Sequence, residues 1–205
     1  WLNTACVRFA LEHTLRLEAE GEAVPEVAEG LRKAVIGLLD AFVGDWFSRL
    51  HDRELVDALI AMLGGLDNYS DSHKKEVVAA AIRFYGLNPM FWQRLHLRGI
   101  VPTGELWRAH AAWELIREAY AGGLAALAGR IDEVCEALDF FERYRNPEAP
   151  VFLREAVAQI LSARNDDAKL IGRQLTMRLL DRAPLESLRI AALPPVLLNR
   201  CSTKA

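Results

Sequence analysis

Two histidine–carboxylate pairs recur at helical spacing, His51/Glu54 and His73/Glu76. At i,i+3 an imidazole and a carboxylate share a helix face and can hold one metal ion between them. Asn68, Ser72 and Glu76 stand four residues apart, three oxygen donors in a row of the kind that suits Mg²⁺. Further along, Leu106, Ala109, His110, Trp113, Ile116, Arg117 and Tyr120 fall on one broad face of a predicted helix over Glu105–Tyr120. His110 and Arg117 then point where apolar groups belong. Burying a neutral polar group without a partner costs on the order of 2–7 kcal/mol, and a charge costs more. They must be hydrogen-bonded, line a wet cavity or face a partner. An imidazole titrates near neutrality, so His110, Trp113 and Arg117 outline a candidate small-ligand or catalytic pocket.

The Asn68/Ser72/Glu76 row resembles the magnesium-binding triad of class I terpene synthases. That resemblance implies an aspartate-rich motif on an earlier helix, and none precedes Asn68; Asp166-Asp167 comes later and lacks a third aspartate. Without the motif, Asn68 reads as a turn residue, Ser72 as a helix cap and Glu76 as part of a solvent face. Di-metal helical bundles place Glu before His and add glutamates from other helices; here His comes first. Both pairs sit at helix starts, where Glu is favoured by the exposed amides. His51-Asp52 is an HD dipeptide like that of metal-dependent phosphohydrolases, without the further His and Asp ligands those need. No glycine-rich phosphate loop and no nucleophile elbow is present. We expect no metal, no cofactor and no catalytic residue.

Arginines alternate with aromatic rings from Arg83-Phe84-Tyr85 through Phe91-Trp92-Gln93-Arg94-Leu95-His96-Leu97-Arg98. Such a stretch can stack bases and pair phosphates. Asp67, Asp71 and Glu76 lie just upstream, however, and the chain's net charge is −3. With 25 basic and 28 acidic residues intermixed, the chain has none of the basic excess expected for nucleic acid or anionic lipid. The stretch reads instead as a protein-interface hot spot, with Trp92 as anchor and Arg94 and Arg98 beside it. An apolar excess points the same way: counting glycine and omitting tyrosine, roughly 57% of the 205 residues are apolar against a usual 45–50%.

The elements that must carry these residues are helical almost throughout, giving an all-α fold. We expect an irregular helical bundle or a short stack of helical hairpins, with about 8–10 helices. A first helix runs from Asn3 or Thr4 to Glu20. A second starts at Pro25 with Val27, Leu31, Val35, Leu38, Phe42 and Trp46 as its stripe, to Leu50. A third follows Asp52 to Leu63, and a fourth, read as central, starts at Asp71 or Ser72 and stops at Asn88-Pro89. Gly122-Gly123 breaks the helix begun at Thr103, and Ile131, Val134, Cys135, Leu138 and Phe141 form the next stripe. Two segments, Glu54–Leu63 with Ser72–Tyr85 and Phe152–Leu161 with Ala168–Leu180, resemble the hairpins of HEAT arrays. One domain over 1–205 is expected, with a subdomain boundary near 146–150, where Asn146-Pro147 and Pro150 fall, and a loose tail over 194–205. The longest charge-free run, Ala119–Gly129, is too short to span a membrane. Cys6, Cys135 and Cys201 show no metal or disulfide spacing and fit reduced thiols in a bacterial-type cytoplasmic protein. The functional expectation is a non-catalytic interaction or assembly domain whose partner is another protein or a second copy of itself. The alternative is a ligand-binding or catalytic bundle at His110, Trp113 and Arg117.

Overall fold

Among the described residues the apolar runs of helical period fold as helices in the computed structural model, which describes the backbone of residues 4–41 and 53–162 and side chains to residue 156. The helices are α1 (Thr4–Ala19), α2 (Pro25–Ala41), α3 (Arg53–Gly64), α4 (Asp71–Tyr85), α5 (Pro89–Leu97), α6 (Gly104–Ala121), α7 (Gly123–Gly129), α8 (Ile131–Arg143) and α9 (Ala149–Ser162), with a 3₁₀ turn at Leu66–Asn68. Among the described residues there is no strand, so the fold is all-α as the periodicity implied. The expected continuation of the second helix, the His51-Asp52 pair, the later helix of the second hairpin, Cys201 and the tail lie outside the described residues.

The chain forms two compact units. The first holds described residues 4–41, 53–113 and 140–147, and the second 114–139 and 148–162. One of the crossings between them falls after Pro147.

In the first unit the central helix is α3, not α4. Leu55, Val56, Ala58, Leu59, Ile60, Met62 and Leu63 are all buried on it, and it packs on α1, α2, α4 and α5. A helix apolar nearly all round must be enclosed. α1 lays Val7, Leu11 and Leu15 against this core and ends before Gly21, whose φ of +78° a side chain would strain.

α2 is rotated from the expected phase. It buries Ala28, Arg32, Val35 and Leu39, while Val27 is exposed. Arg32 is the reason. Its Nη1 donates to both carboxylate oxygens of Glu18 at 3.1 Å, and its guanidinium lies 4.3 Å from the centre of the Tyr69 ring. A buried arginine held by a carboxylate and an aromatic face is tolerated where an unpaired one is not. The same burial pushes the Tyr69 phenol above its ordinary range.

α4 starts at Asp71, one of the two expected starts, and its cap is Ser70 rather than Ser72: Ser70 has extended backbone angles and its Oγ accepts from the His73 amide. At its other end, Ile82 O accepts from Gly86 N (3.1 Å) and Asn146 Nδ2 (2.9 Å), and Gly86 O accepts from Trp92 Nε1 (2.9 Å). Carbonyls that a helix end leaves open are thereby satisfied. Gly86 has no room for a side chain, since a Cβ would sit 2.6 Å from Cε1 of Phe141.

In the second unit, Ile116, Ala119, Leu127, Val134, Cys135, Leu138, Leu153 and Ala156 are buried. Tyr120 donates its hydroxyl to Phe152 O at 2.5 Å and meets the Phe152 ring edge-on. Gly123, at φ +76°, ends the run of α6 and starts α7.

Candidate functional site

Of the residues singled out by sequence, three converge. Trp92 on α5 meets His110 and Trp113 on α6, with ring centroids 4.9 and 5.9 Å away, and His110 lies 5.8 Å from Trp113. Asn88 sets this up by capping α5, its Oδ1 accepting from Met90 N at 2.9 Å, with Pro89 in the first turn. Trp92 is only 3% exposed and its indole N–H is committed to Gly86 O, so it is anchored in the core. His110 and Trp113 are half-buried beside it.

The arginines behave differently. Arg94 bonds Asp57 on α3 at 2.8 Å, and Asp57 also meets Arg8 at 3.5 Å, so the three brace α1, α3 and α5. Arg98 reaches Glu12 on α1 at 3.6 Å. Arg117, expected on the apolar face, is exposed and pairs with Glu114 one turn back, its Nε donating at 2.9 Å. The 100° step per residue places position 117 at the edge of the stripe, where a long side chain swings out.

Of the metal-spaced pairs only His73/Glu76 lies within the described residues, and its two side chains turn apart. His73 turns to the Ser70 hydroxyl (Nδ1 at 2.9 Å) and has Glu29 at 3.7 Å from Nε2, while Glu76 is exposed. Ser70, His73 and Glu29 have the side-chain types of a nucleophile, base and acid. Ser70, however, is exposed and spent on capping, and Glu29 is held by Lys33 at 2.5 Å. Among the described residues no group of three His, Cys, Asp or Glu is placed to hold a metal ion.

Two features were not apparent from sequence. Phe9, Leu97, Val101 and Trp107 are 72, 74, 78 and 58% exposed, large apolar groups facing outward from the first unit. The Arg98–Glu12 pair ties the end of α5, with Leu97, to the α1 face that carries Phe9 and the His13 ring stacked on it.

The second is an open groove of about 360 Å³ bounded by Ile36 and Asp40 of α2, Glu76, Arg83 and Phe84 of α4, Arg143 at the end of α8, and Tyr144 and Arg145 just after it. It adjoins a smaller one of about 230 Å³ among Glu105, Arg108 and Phe140, sharing Arg143 and Tyr144. Arg83 bonds Asp40 at 2.9 Å, Arg108 bonds Glu105 at 2.6 Å, and Tyr144 donates to Glu105 at 3.0 Å. Burial and that acceptor raise the Tyr144 phenol above its ordinary range. α8 closes with Arg145 N bonded to Glu142 O (2.8 Å) and Asn146 N to Phe141 O (3.0 Å), leaving Arg145 at φ +55°. A helix ending in Arg-Asn-Pro with no glycine to take the left-handed position was the one sequence signal for this turn.

Compared with models of known families, with characterised proteins and with solved structures, the chain matches none.

Proposed function

We propose that this protein is a non-catalytic interaction or assembly domain, docking another protein or a second copy of itself through the outward apolar side chains of its first unit. The observation that carries this reading is the exposure of Phe9, Leu97, Val101 and Trp107. Large apolar side chains rimmed by ion pairs such as Arg98–Glu12 are what a polar-rimmed interface uses. Trp92 takes a supporting part, holding α5 in place from the core. The mixed charge of the chain favours a protein partner over nucleic acid. A cytoplasmic setting is supported by two cysteines outside any disulfide, exposed Cys6 and buried Cys135; no helix among the described residues is long and apolar enough to cross a membrane. The alternative, a ligand or catalytic pocket at His110, Trp113 and Arg117, has less support, because the Trp92, His110 and Trp113 rings pack on one another and Arg117 is exposed with Glu114.

Sedimentation equilibrium of the wild type and of a Leu97→Asp/Val101→Asp variant, with cross-linked capture from cells of the source organism, tests the reading. Association or capture that the double variant abolishes without loss of helicity supports it. A monomer with no captured protein, or capture indifferent to the variant, overturns it.

A further inference from the structure

We propose that the groove walled by the Arg143–Tyr144–Arg145 turn binds the phosphate of a small phosphate monoester. This site is separate from the apolar docking surface and stands independently of it.

The groove carries unbalanced positive charge on one wall. Around the groove Arg83 is matched by Asp40, and next door Arg108 is matched by Glu105. Arg143 lies over the Phe140 ring and Arg145 extends into solvent, and neither forms an ion pair among the described residues. Two guanidinium groups one residue apart along the chain therefore flank Tyr144 without carboxylates of their own. A phosphate monoester carries close to two negative charges at neutral pH, and arginine forks match its oxygens by charge-assisted bonds.

The backbone of the turn is unusual as well. Arg145 occupies the left-handed region at φ +55°, the place in a helix-ending turn where glycine is usual. Side chains are rare there, and residues held in this region cluster at active sites, ligand clamps and switch regions.

The groove's remaining wall settles the size and class of ligand. Ile36 and Phe84 offer apolar surface for an organic group, and about 360 Å³ lies at the lower end of small-molecule sites. Asp40, Glu76 and Glu105 stand close by and oppose a second phosphate, so a polyanion such as nucleic acid is disfavoured.

Isothermal titration with phenyl phosphate as the probe, at fixed ionic strength and above the phosphate's second pKa of about 6, tests the site, with sulfate and phenol as comparisons. The wild type is expected to bind phenyl phosphate more tightly than either. Arg143→Gln and Arg145→Gly are each expected to weaken binding on the order of tenfold or more, the loss of one charge-assisted contact. Arg145→Gly also suits the turn's backbone, so a folded variant with weakened binding places the loss on the side chain. Arg16→Gln, on the exposed face of α1, is expected to bind as the wild type does. No binding by the wild type, an Arg145→Gly that binds as tightly, or an equal loss in Arg16→Gln would each overturn the proposal.

Discussion

The neighbourhood of Trp92 and the turn after α8 are built from the same materials, arginines beside aromatic rings, and put them to different use. Around Trp92 the indole is answered by Gly86 O, Arg94 by Asp57 and Arg98 by Glu12. At the α8 turn Arg83 and Arg108 are answered, while Arg143 and Arg145 are not. The first region conspicuously alternates basic and aromatic residues over sixteen positions; the second is three residues long. What separates structural from available charge is whether another helix supplies the counter-group, and sequence spacing along one helix does not report that.

The sharpest way to break the comparison is Trp92→Ala. If the residue belongs to the core, the change should cost about 3–5 kcal/mol in folding stability, with more added because Gly86 O loses its donor. Association of the folded protein should be unaltered. Chemical denaturation beside sedimentation measures both, and a small stability loss with lost association would return Trp92 to the interface.

A second prediction concerns the segment that follows the turn. Glu148 is buried just before α9, and burial pushes its carboxyl up to about 7 from an ordinary 4.5. The folded state therefore holds a proton that the unfolded chain has released, between about pH 4.5 and pH 7. Stability should fall as pH rises through that window, by up to about 3 kcal/mol in total, and level off above it. Glu148→Gln, neutral throughout, should remove this slope in denaturation curves compared pH by pH. A slope of equal size in the variant would show that Glu148 is charged at no cost in the folded state.

Next in size is Gly86→Ala. The new Cβ would press on Ile82 O at 2.5 Å and on the Phe141 ring at 2.6 Å, and overpacking of this kind costs about 1–3 kcal/mol. Urea midpoints of wild type and variant suffice. A neutral result would mean that the α4 end and Phe141 part easily, and the contrast of a rigid junction with an available turn would weaken.

How far the chain could be read in advance follows from the same physics. Helix class and most ends were legible, because glycine, proline and apolar period act locally: Pro25, Gly64, Pro89 and Gly123 mark ends that the structure repeats. The phase of α2 was not, since Arg32 counts as polar until Glu18 and Tyr69 are seen beside it. Likewise Arg117 was assigned to the buried face by its spacing, although a long cation at a stripe's edge leaves it at little cost. His110 and Trp113 were recognised as sharing a helix face, but Trp92, which they touch, lies some twenty residues upstream. The groove was invisible for the strongest reason. Its walls come from residues 36–40, 76–84 and 143–145, and no local pattern joins them.

The smallest effect is the most discriminating for the α8 turn. Arg145→Gly relieves a left-handed backbone that costs a side chain about 1–2 kcal/mol. Against this, glycine gives the unfolded chain more freedom, which lowers stability by about 0.4–1 kcal/mol. The difference leaves a net gain of between about 0 and about 1.6 kcal/mol. No ion pair among the described residues is lost to offset it, because Arg145 makes none. A paired structural arginine would behave oppositely: Arg94→Gly would strip Asp57 of its partner at 2.8 Å and put glycine inside α5, so both terms would lower stability. Thermal melts of the two variants thus separate the regions by sign. A loss of stability in Arg145→Gly as in Arg94→Gly would mean that the turn's arginine already has structural work, and the distinction between answered and unanswered charge would no longer hold there.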